Sequence, residues 1–512
     1  MKELKIKSFF ILFSSLLLTC HTLFSQAVGL VLSGGGAGGT AHIGVLKALE
    51  ENNIPIDYIT GSSVGAFIGS MYCLGYTPQQ MEQFVISNEF KNQAYGNIEP
   101  KYVYYFKKKE DNASWITFKF ALDSSLETTI PTNLVSPVAI DFALMEQTAS
   151  GIAGANYNFD SLLVPFRCLA SDVEKKESVI FRNGDLGEAV RASMSYPFYL
   201  KPITVNGCLL FDGGIYNNFP SNVMYDEFYP DVIIGSNVSS NAPPPNEENI
   251  LSQIKSMLLS KTNFDAVCQN GIIIEPKANI GTFDFSSPKM LIDSGYAATM
   301  RAMPLIKERV NRIILPSELK QKRERFLKKQ KQLMFDKIYI EGLKKSQSKY
   351  VRRLLSQKDK VLTMKKFKPT YFRLAADEKI KTIFPKAKYN PQTGYFDLYL
   401  KVRKEKDFFL QAGGNFSNRP ISEGFLAGQY NYLSNFAMDA SFNTYVGKLY
   451  ASGQVKVRLD FPFSIPFYIE PNFTINRWDF FKSSAEFVQS DVKPPFLKQK
   501  ERYFEGNIGL PI

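Results

Sequence analysis

The sequence predicts three structural regimes in succession: an α/β domain with a parallel sheet and helices on both faces, a small α+β module, and an antiparallel β region. Three observations carry this. Short apolar strand runs alternate with helical patterns over the first 300 residues, the order that gives a parallel sheet. A dense basic segment interrupts the pattern after about residue 315. Beyond residue 408 come aromatic segments of about ten residues, alternating in character and joined by Asn, Ser, Gly and Pro turns.

Residues 1–25 read as a secretory signal peptide. Lys2, Lys5 and Lys7 make a basic start, Phe9 to Leu18 is an apolar run too short to span a bilayer comfortably, and a polar stretch through Ser25-Gln26 follows. The chain is therefore expected to be exported. Cys20 follows Leu17-Leu18-Thr19, a poor lipoprotein-type site because Thr stands where a smaller residue is usual. Cys73, Cys168, Cys208 and Cys268 lack CxxC spacing and read as buried thiols.

Val28 to Leu32 (VGLVL) is a continuous apolar run, suited to a strand covered on both faces. It runs into Gly34-Gly35-Gly36-Ala37-Gly38-Gly39, after which Thr40 opens a helix with Ile43, Leu46 and Leu49 on one face. Ile56 to Ile59 is a second strand, turning at Gly61-Ser62-Ser63-Val64-Gly65 into a helix whose Gly65, Ala66 and Gly69 permit close packing. Thr77-Pro78-Gln79-Gln80 predicts a helix start with a capping box between Thr77 and Gln80.

The Gly61–Gly65 pentapeptide has the G-x-S-x-G form, in which the central serine sits on a sharp strand-to-helix turn. Such a turn lifts Ser63 to the head of a helix, where amides and the dipole favour developing negative charge. The pentapeptide alone is a weak signal; its place between an apolar strand and a Gly/Ala-rich helix strengthens it. Ser62 falls off the pattern. The run Gly34 to Gly39 can aim backbone N–H groups at one point, as a tetrahedral oxyanion requires. Gly34-x-Gly36-x-x-Gly39 also fits a loose dinucleotide loop, but the acidic residue expected about twenty positions on is replaced by the GSSVG turn.

The base is narrowed by counting. The chain holds 2 histidines, His21 in the leader and His42 in the first turn of the first helix. His42 reads as packed or capped locally, so a Ser–His–Asp triad is disfavoured and the base must be a carboxylate or lysine. Leu209 to Asp212 is an apolar strand ending in Asp, followed by Gly213-Gly214. Asp212 could take the Ser63 proton directly if burial raises its basicity. On spacing alone the simpler reading is an Asp-Gly hairpin turn.

Together GGGAGGTAHIGVLKALEE (34–51), GSSVG (61–65) and FDGGIYNNFP (211–220) resemble the patatin-like phospholipase family. LASDVEKKESVIF (169–181) and RASMSYPFYLKP (191–202) support the match, which covers about residues 28 to 310. The resemblance implies a Ser–Asp dyad hydrolysing phospholipids or other acyl lipids without metal or organic cofactor. Ser63 would attack, Asp212 would act as base and then acid, and the loop Gly34, Gly35, Gly36, Ala37, Gly38 and Gly39 would hold the oxyanion. Gly61 and Gly65 would shape the turn. One position departs from the pattern: Gly38 stands where the family usually has Arg or Lys. That removes a cation and adds flexibility, and it motivates the alternative of a weak or inactive export or scaffold protein.

Between the catalytic motifs, Tyr102 to Phe106 and Trp115 to Phe120 read as a hairpin, and Val135 to Met145 as an apolar helix lining an acyl pocket, forming a lid or serving as an accessory core helix. The hydrolase domain is placed at 26–315 and a basic helical linker at 316–334. An alternating strand (335–343), helical segments (349–356 and 363–384) and a hairpin (387–389 with 395–402) then resemble a POTRA domain at 335–405. The region 406–512 has the strand signature of an outer-membrane β-barrel. Its roughly 105 residues give five or six strands, fewer than the eight of the smallest barrels, so the reading is a fragment or a barrel closed with another chain. The net charge of +12 comes with no recognisable nucleic-acid module, which favours a membrane partner. An outer-membrane location follows as an expectation, with the catalytic domain periplasmic or surface-exposed. Oligomeric state is left open, a homo-oligomer included.

Overall fold

The computed structural model describes residues 26–103, 111–120, 133–241, 243–277, 280–355, 361–417, 422–463, 466–479 and 498–510. The leader, most of the first arm of the expected hairpin and one residue of the Asn241–Pro245 loop lie outside these. The chain forms two compact units, Met1–Glu82 with Leu163–Leu169 and Gly214–Arg325, and Gln83–Leu162 with Ala170–Gly213 and Phe326–Ile512.

The first unit is built on parallel strands. Strand β1 (Val28–Leu32) is wholly buried and lies between β2 (Tyr58–Ser62) and β8 (Val232–Ser236), parallel to both. Parallel β9 (Ile272–Ile274) extends one side, and the first residues of β4 (Phe166–Asp172) pair with β2 on the other, Gly61 opposite Cys168 and Ser62 opposite Leu169. A sheet buried on both faces accounts for the unbroken apolar runs. Around it stand α1 (Ala41–Glu51), α2 (Val64–Cys73), the start of α3 (Pro78–Val85), α7 (Ser221–Phe228), α8 (Ile250–Leu258), α9 (Pro288–Arg309) and most of α10 (Pro316–Leu327). The second strand therefore starts two residues later than expected and runs to Ser62. The capping box at α3 is present in both directions: the Thr77 amide donates to Gln80 Oε1 (2.9 Å) and the Gln80 amide to Thr77 Oγ1 (3.2 Å).

In the second unit the last residues of β4 pair antiparallel with β7 (Cys208–Asp212), Ala170 opposite Asp212. Strand β5 (Glu177–Phe181) pairs with β4, and β6 (Ile203–Val205) pairs with β7. Helices α4 (Asn88–Tyr95), α5 (Val138–Gly154) and α6 (Leu186–Ser193) complete this part. The α+β module follows with β10 (Met334–Glu341), α11 (Lys345–Leu355), β11 (Leu362–Thr363), α12 (Met364–Ala375), β12 (Ile380–Asn390) and β13 (Tyr395–Lys404). Its sheet runs β11-β10-β13-β12, with β10 parallel to β13. The expected helix over 363–384 stops at Ala375. Buried Asp377 accepts the Lys379 amide (3.1 Å) and the Tyr350 hydroxyl (3.0 Å), which turns the chain, and Ile380 onward pairs with β13.

Helix α5 is an accessory core helix: Val138, Ala139, Phe142, Met145, Ala149 and Ala153 share one apolar core with Phe367, Tyr371 and Phe372 of α12.

The last six strands, β14 (Phe408–Asn415), β15 (Glu423–Leu433), β16 (Ala437–Gly447), β17 (Tyr450–Phe461), β18 (Phe467–Asp479) and β19 (Lys498–Gly509), form an antiparallel meander. Of the hairpin expected around Lys107–Asn112, residues 104–110 lie outside the described residues. Residues Pro100–Tyr102 form a 3-10 turn, and β3 (Ser114–Phe120) pairs with β14 as the seventh strand of this sheet. The periodicity of 115–120 is that of a strand, but its partner lies almost three hundred residues away.

This sheet is inverted relative to an ordinary soluble one. One cross-strand row reads Phe118, Leu410, Gly428, Phe442, Val455, Phe473 and Phe504, and its six large apolar side chains are exposed, Phe504 at 71%. The adjacent row on the opposite face reads Thr117, Gln411, Ala427, Asn443, Gln454, Thr474 and Tyr503. There Gln411 is only 6% exposed. Asn443 Nδ2 donates to Gln454 Oε1, whose Nε2 donates to Thr474 Oγ1, both at 3.1 Å. Among the described residues, no helix is long and apolar enough to cross a membrane.

Candidate active site

Ser63 is held in a left-handed backbone conformation, φ 52° and ψ −127°, between the end of β2 and the start of α2. For a residue with a Cβ this costs about 1–3 kcal/mol and persists only where the surroundings over-determine it. They do so here. A methyl group on Gly65 would lie 2.4 Å from the Leu32 carbonyl oxygen, and one on Gly61 would lie 2.7 Å from the Ala66 nitrogen. Helix α2 can thus leave the strand only if both flanking residues are glycine. Ser63 is 9% exposed. Ser62 is fully buried, its hydroxyl without a hydrogen-bond partner among the described residues.

The glycine loop lies against this turn. A methyl group on Gly34 would sit 3.0 Å from Ser63 Cβ and 2.2 Å from Asn218 Oδ1. Residues Gly36–Thr40 wind into a 3-10 turn, with Gly36 at φ +56°. Two of the expected oxyanion donors are engaged elsewhere: the Gly34 amide donates to the Asn218 carbonyl (3.0 Å) and the Ala37 amide to the Thr282 carbonyl (2.8 Å). Gly34, Ala37, Gly38 and Gly39 are buried, whereas Gly35 and Gly36 are half-buried. The accessible part of the loop is therefore Gly35-Gly36. Asn218 and Thr282 were not identified from the sequence. Asn218 lies in the FDGGIYNNFP segment, while Thr282 carries no local signal.

His42 is fully committed. Its Nε2 lies 2.9 Å from the Ser33 carbonyl oxygen and its Nδ1 2.8 Å from Ser236 Oγ. A carbonyl only accepts, so Nε2 carries the proton and Nδ1 accepts from the Ser236 hydroxyl. Burial lowers its pKa to about 4, against the opposing pull of the Ser33 carbonyl.

Asp212, in the second unit, ends β7 and is 2% exposed. Its amide donates to the Ser195 carbonyl at 3.0 Å. The Tyr196 phenol is pushed above its ordinary pKa by burial and then by the Asp212 charge, which marks the ring as a neighbour of the carboxylate. The Asp-Gly hairpin reading fails at this position, because Gly213–Ile215 continue as a 3-10 turn. The hairpin instead joins β6 to β7 through Asn206-Gly207, both at positive φ, the Asn-Gly pair that a two-residue type I′ turn prefers.

The strained serine on a strand-to-helix turn, packed against a glycine loop in an α/β fold, has the geometry of a G-x-S-x-G turn. Residues 30–225 are a patatin-like phospholipase domain, matching that family over this span. Within it the chain is similar to a lysophospholipase NTE1 of Kluyveromyces lactis, 31% identical over 206 residues, and to the neuropathy target esterase sws of Drosophila melanogaster, 31% identical over 208. Each match covers 40% of this chain but only 12% of the relative's length. A solved structure of full-length ExoU with SpcU from Pseudomonas aeruginosa aligns over 56% of this chain and 53% of that one, at 13% identity and TM-score 0.29, too slight a likeness to carry an argument.

Proposed function

We propose that the protein is a serine acyl hydrolase cleaving ester bonds of phospholipids or related acyl lipids, exported and attached to the outer membrane through its C-terminal sheet. The observation that carries the catalytic part is the strained Ser63 turn against the glycine loop. In this reading Ser63 Oγ attacks the acyl carbonyl while Asp212 takes its proton. The tetrahedral oxyanion is held by the Gly35 and Gly36 amides, the half-buried pair of the loop. Collapse expels the alcohol, which receives the proton from Asp212. Water, deprotonated by Asp212, then releases the fatty acid and restores Ser63. His42 has no part, since both its ring nitrogens are taken. The activities named for the two relatives, lysophospholipase and esterase, agree with this chemistry.

Membrane attachment is supported by the inverted C-terminal sheet, with apolar rows outward and a hydrogen-bonded polar face opposite. The POTRA-like reading of 335–405 is supported by the order strand, helix, two-residue strand, helix, strand, strand. The rival reading, a catalytically weak export or scaffold protein, rests on Gly38. One assay separates the two: fatty-acid release from phospholipid vesicles by the full chain. Ser63→Ala and Asp212→Asn are expected to cut the rate by about 10³-fold or more. No release by the wild type would favour the scaffold, and undiminished release by both variants would sink the dyad.

A further inference from the structure

Arg191 is 1% exposed, and a guanidinium cannot shed its charge on burial. It spends its fork on three partners. Nε meets Asp141 Oδ1 on α5 (2.5 Å), one terminal nitrogen donates to Ser195 Oγ (2.7 Å), and the other donates to the Lys201 carbonyl (2.8 Å). Ser195 Oγ returns a bond to the Arg191 carbonyl (2.9 Å), and the Ser195 carbonyl accepts the Asp212 amide (3.0 Å). A chain of four residues thus runs from α5 to the backbone of Asp212. Its far end is anchored in the α+β module, because the Tyr371 hydroxyl bonds the Val138 carbonyl (3.1 Å) where α5 begins and Phe142 packs among the α12 aromatics. Helix α6, which carries Arg191, is tied to the same module by the Glu188–Lys386 ion pair.

A buried ion pair costs several kcal/mol of desolvation and is poor evidence of stabilisation for its own sake. Its hydrogen-bonded geometry, in contrast, fixes whatever hangs from it. We infer that Arg191, held by Asp141, is a positioning residue for Asp212, so that the α+β module following the hydrolase segment sets the geometry of the proposed catalytic carboxylate. This rests on the Ser–Asp reading above. It also implies that residues 26–315 alone lack a support that the acid requires.

The test uses the full chain in detergent with a soluble ester and a fluorophosphonate that labels the active serine. Arg191→Lys and Asp141→Asn are expected to lower kcat by about 10-fold or more with KM within about twofold, as misplacement of a reacting group does. The labelling stoichiometry stays at the wild-type value while the rate constant per site falls. A merely structural role would do the reverse, lowering stoichiometry and leaving the rate constant alone. Where either variant fails to fold, Ser195→Ala, which leaves the Asp141–Arg191 pair in place, is expected to slow labelling by about threefold or more. Wild-type labelling rates in the folded variants, with Asp212→Asn inactive, would overturn this inference alone. An active Asp212→Asn would instead overturn the dyad beneath it.

Discussion

The turn at Ser63 and the C-terminal sheet place their demands on sequence in opposite ways. At the turn the requirement is positional: a methyl group on Gly65 or Gly61 would meet backbone atoms of β1 or α2, and no shift of a flexible side chain could relieve it. In the sheet, the requirement is statistical. Seven strands keep apolar residues in register on one face and amides, hydroxyls and charges on the other, and a row survives an interruption such as Gly428 or Ala427. The first region is therefore expected to fail at single atoms and the second to yield by increments. Measurements that test this difference span a falling range of effects.

The largest effect is expected from Gly65→Ala. With the added methyl 2.4 Å and 2.5 Å from the Leu32 and Ser33 carbonyl oxygens, α2 must move and Ser63 with it, costing about 10³-fold in kcat/KM. Activity within tenfold of wild type would show that the turn tolerates slack.

Next comes the pH dependence set by His42. Its folded pKa is about 4 against 6.5 unfolded, so the unfolded chain takes up a proton that the folded one refuses. The contribution to stability is full above the unfolded value and is lost as pH falls toward the folded one, in total roughly 3 kcal/mol. Urea midpoints of the wild type should fall between about pH 7 and about pH 4.5, and those of His42→Gln should fall less. Parallel curves would mean the buried imidazole is not the group responsible.

In the sheet, Phe442→Lys puts a charge in the middle of the outward apolar row and is expected to destabilise the detergent- or lipid-embedded form by about 2 kcal/mol. The same substitution should matter much less without a membrane-like phase, and equal effects in both would argue against lipid contact. The smallest change is expected from Gln454→Ala on the polar face. It removes bonds to Asn443 and Thr474, for a cost of about 1 kcal/mol.

What the sequence disclosed follows the same division. Signals contained in a few adjacent residues were legible: the GSSVG turn, the glycine run and the Thr77–Gln80 capping box all depend on neighbours along the chain. Four features were not, because each depends on a partner far away. The strand character of 115–120 is visible, but nothing local says that it pairs with Phe408–Gly413. Nothing near Gly34 or Ala37 discloses that their amides are taken by Asn218 and Thr282. The helix overshoot past Ala375 has a related origin: Ile380, Ile383 and Phe384 suit either period, and pairing with β13 decides the matter. Arg191 and Asp141 are fifty residues apart, and only the folded chain joins them.

The proposed hydrolysis requires Ser63 as the nucleophile, and covalent labelling probes that requirement at the atom concerned. The full chain, treated with a fluorophosphonate, digested and mapped by mass spectrometry, is expected to carry one adduct, on the peptide holding Ser62 and Ser63, with fragmentation placing it on Ser63. Ser63→Ala should abolish it. An adduct on Ser62, or fatty-acid release that continues with no serine labelled, would contradict the account.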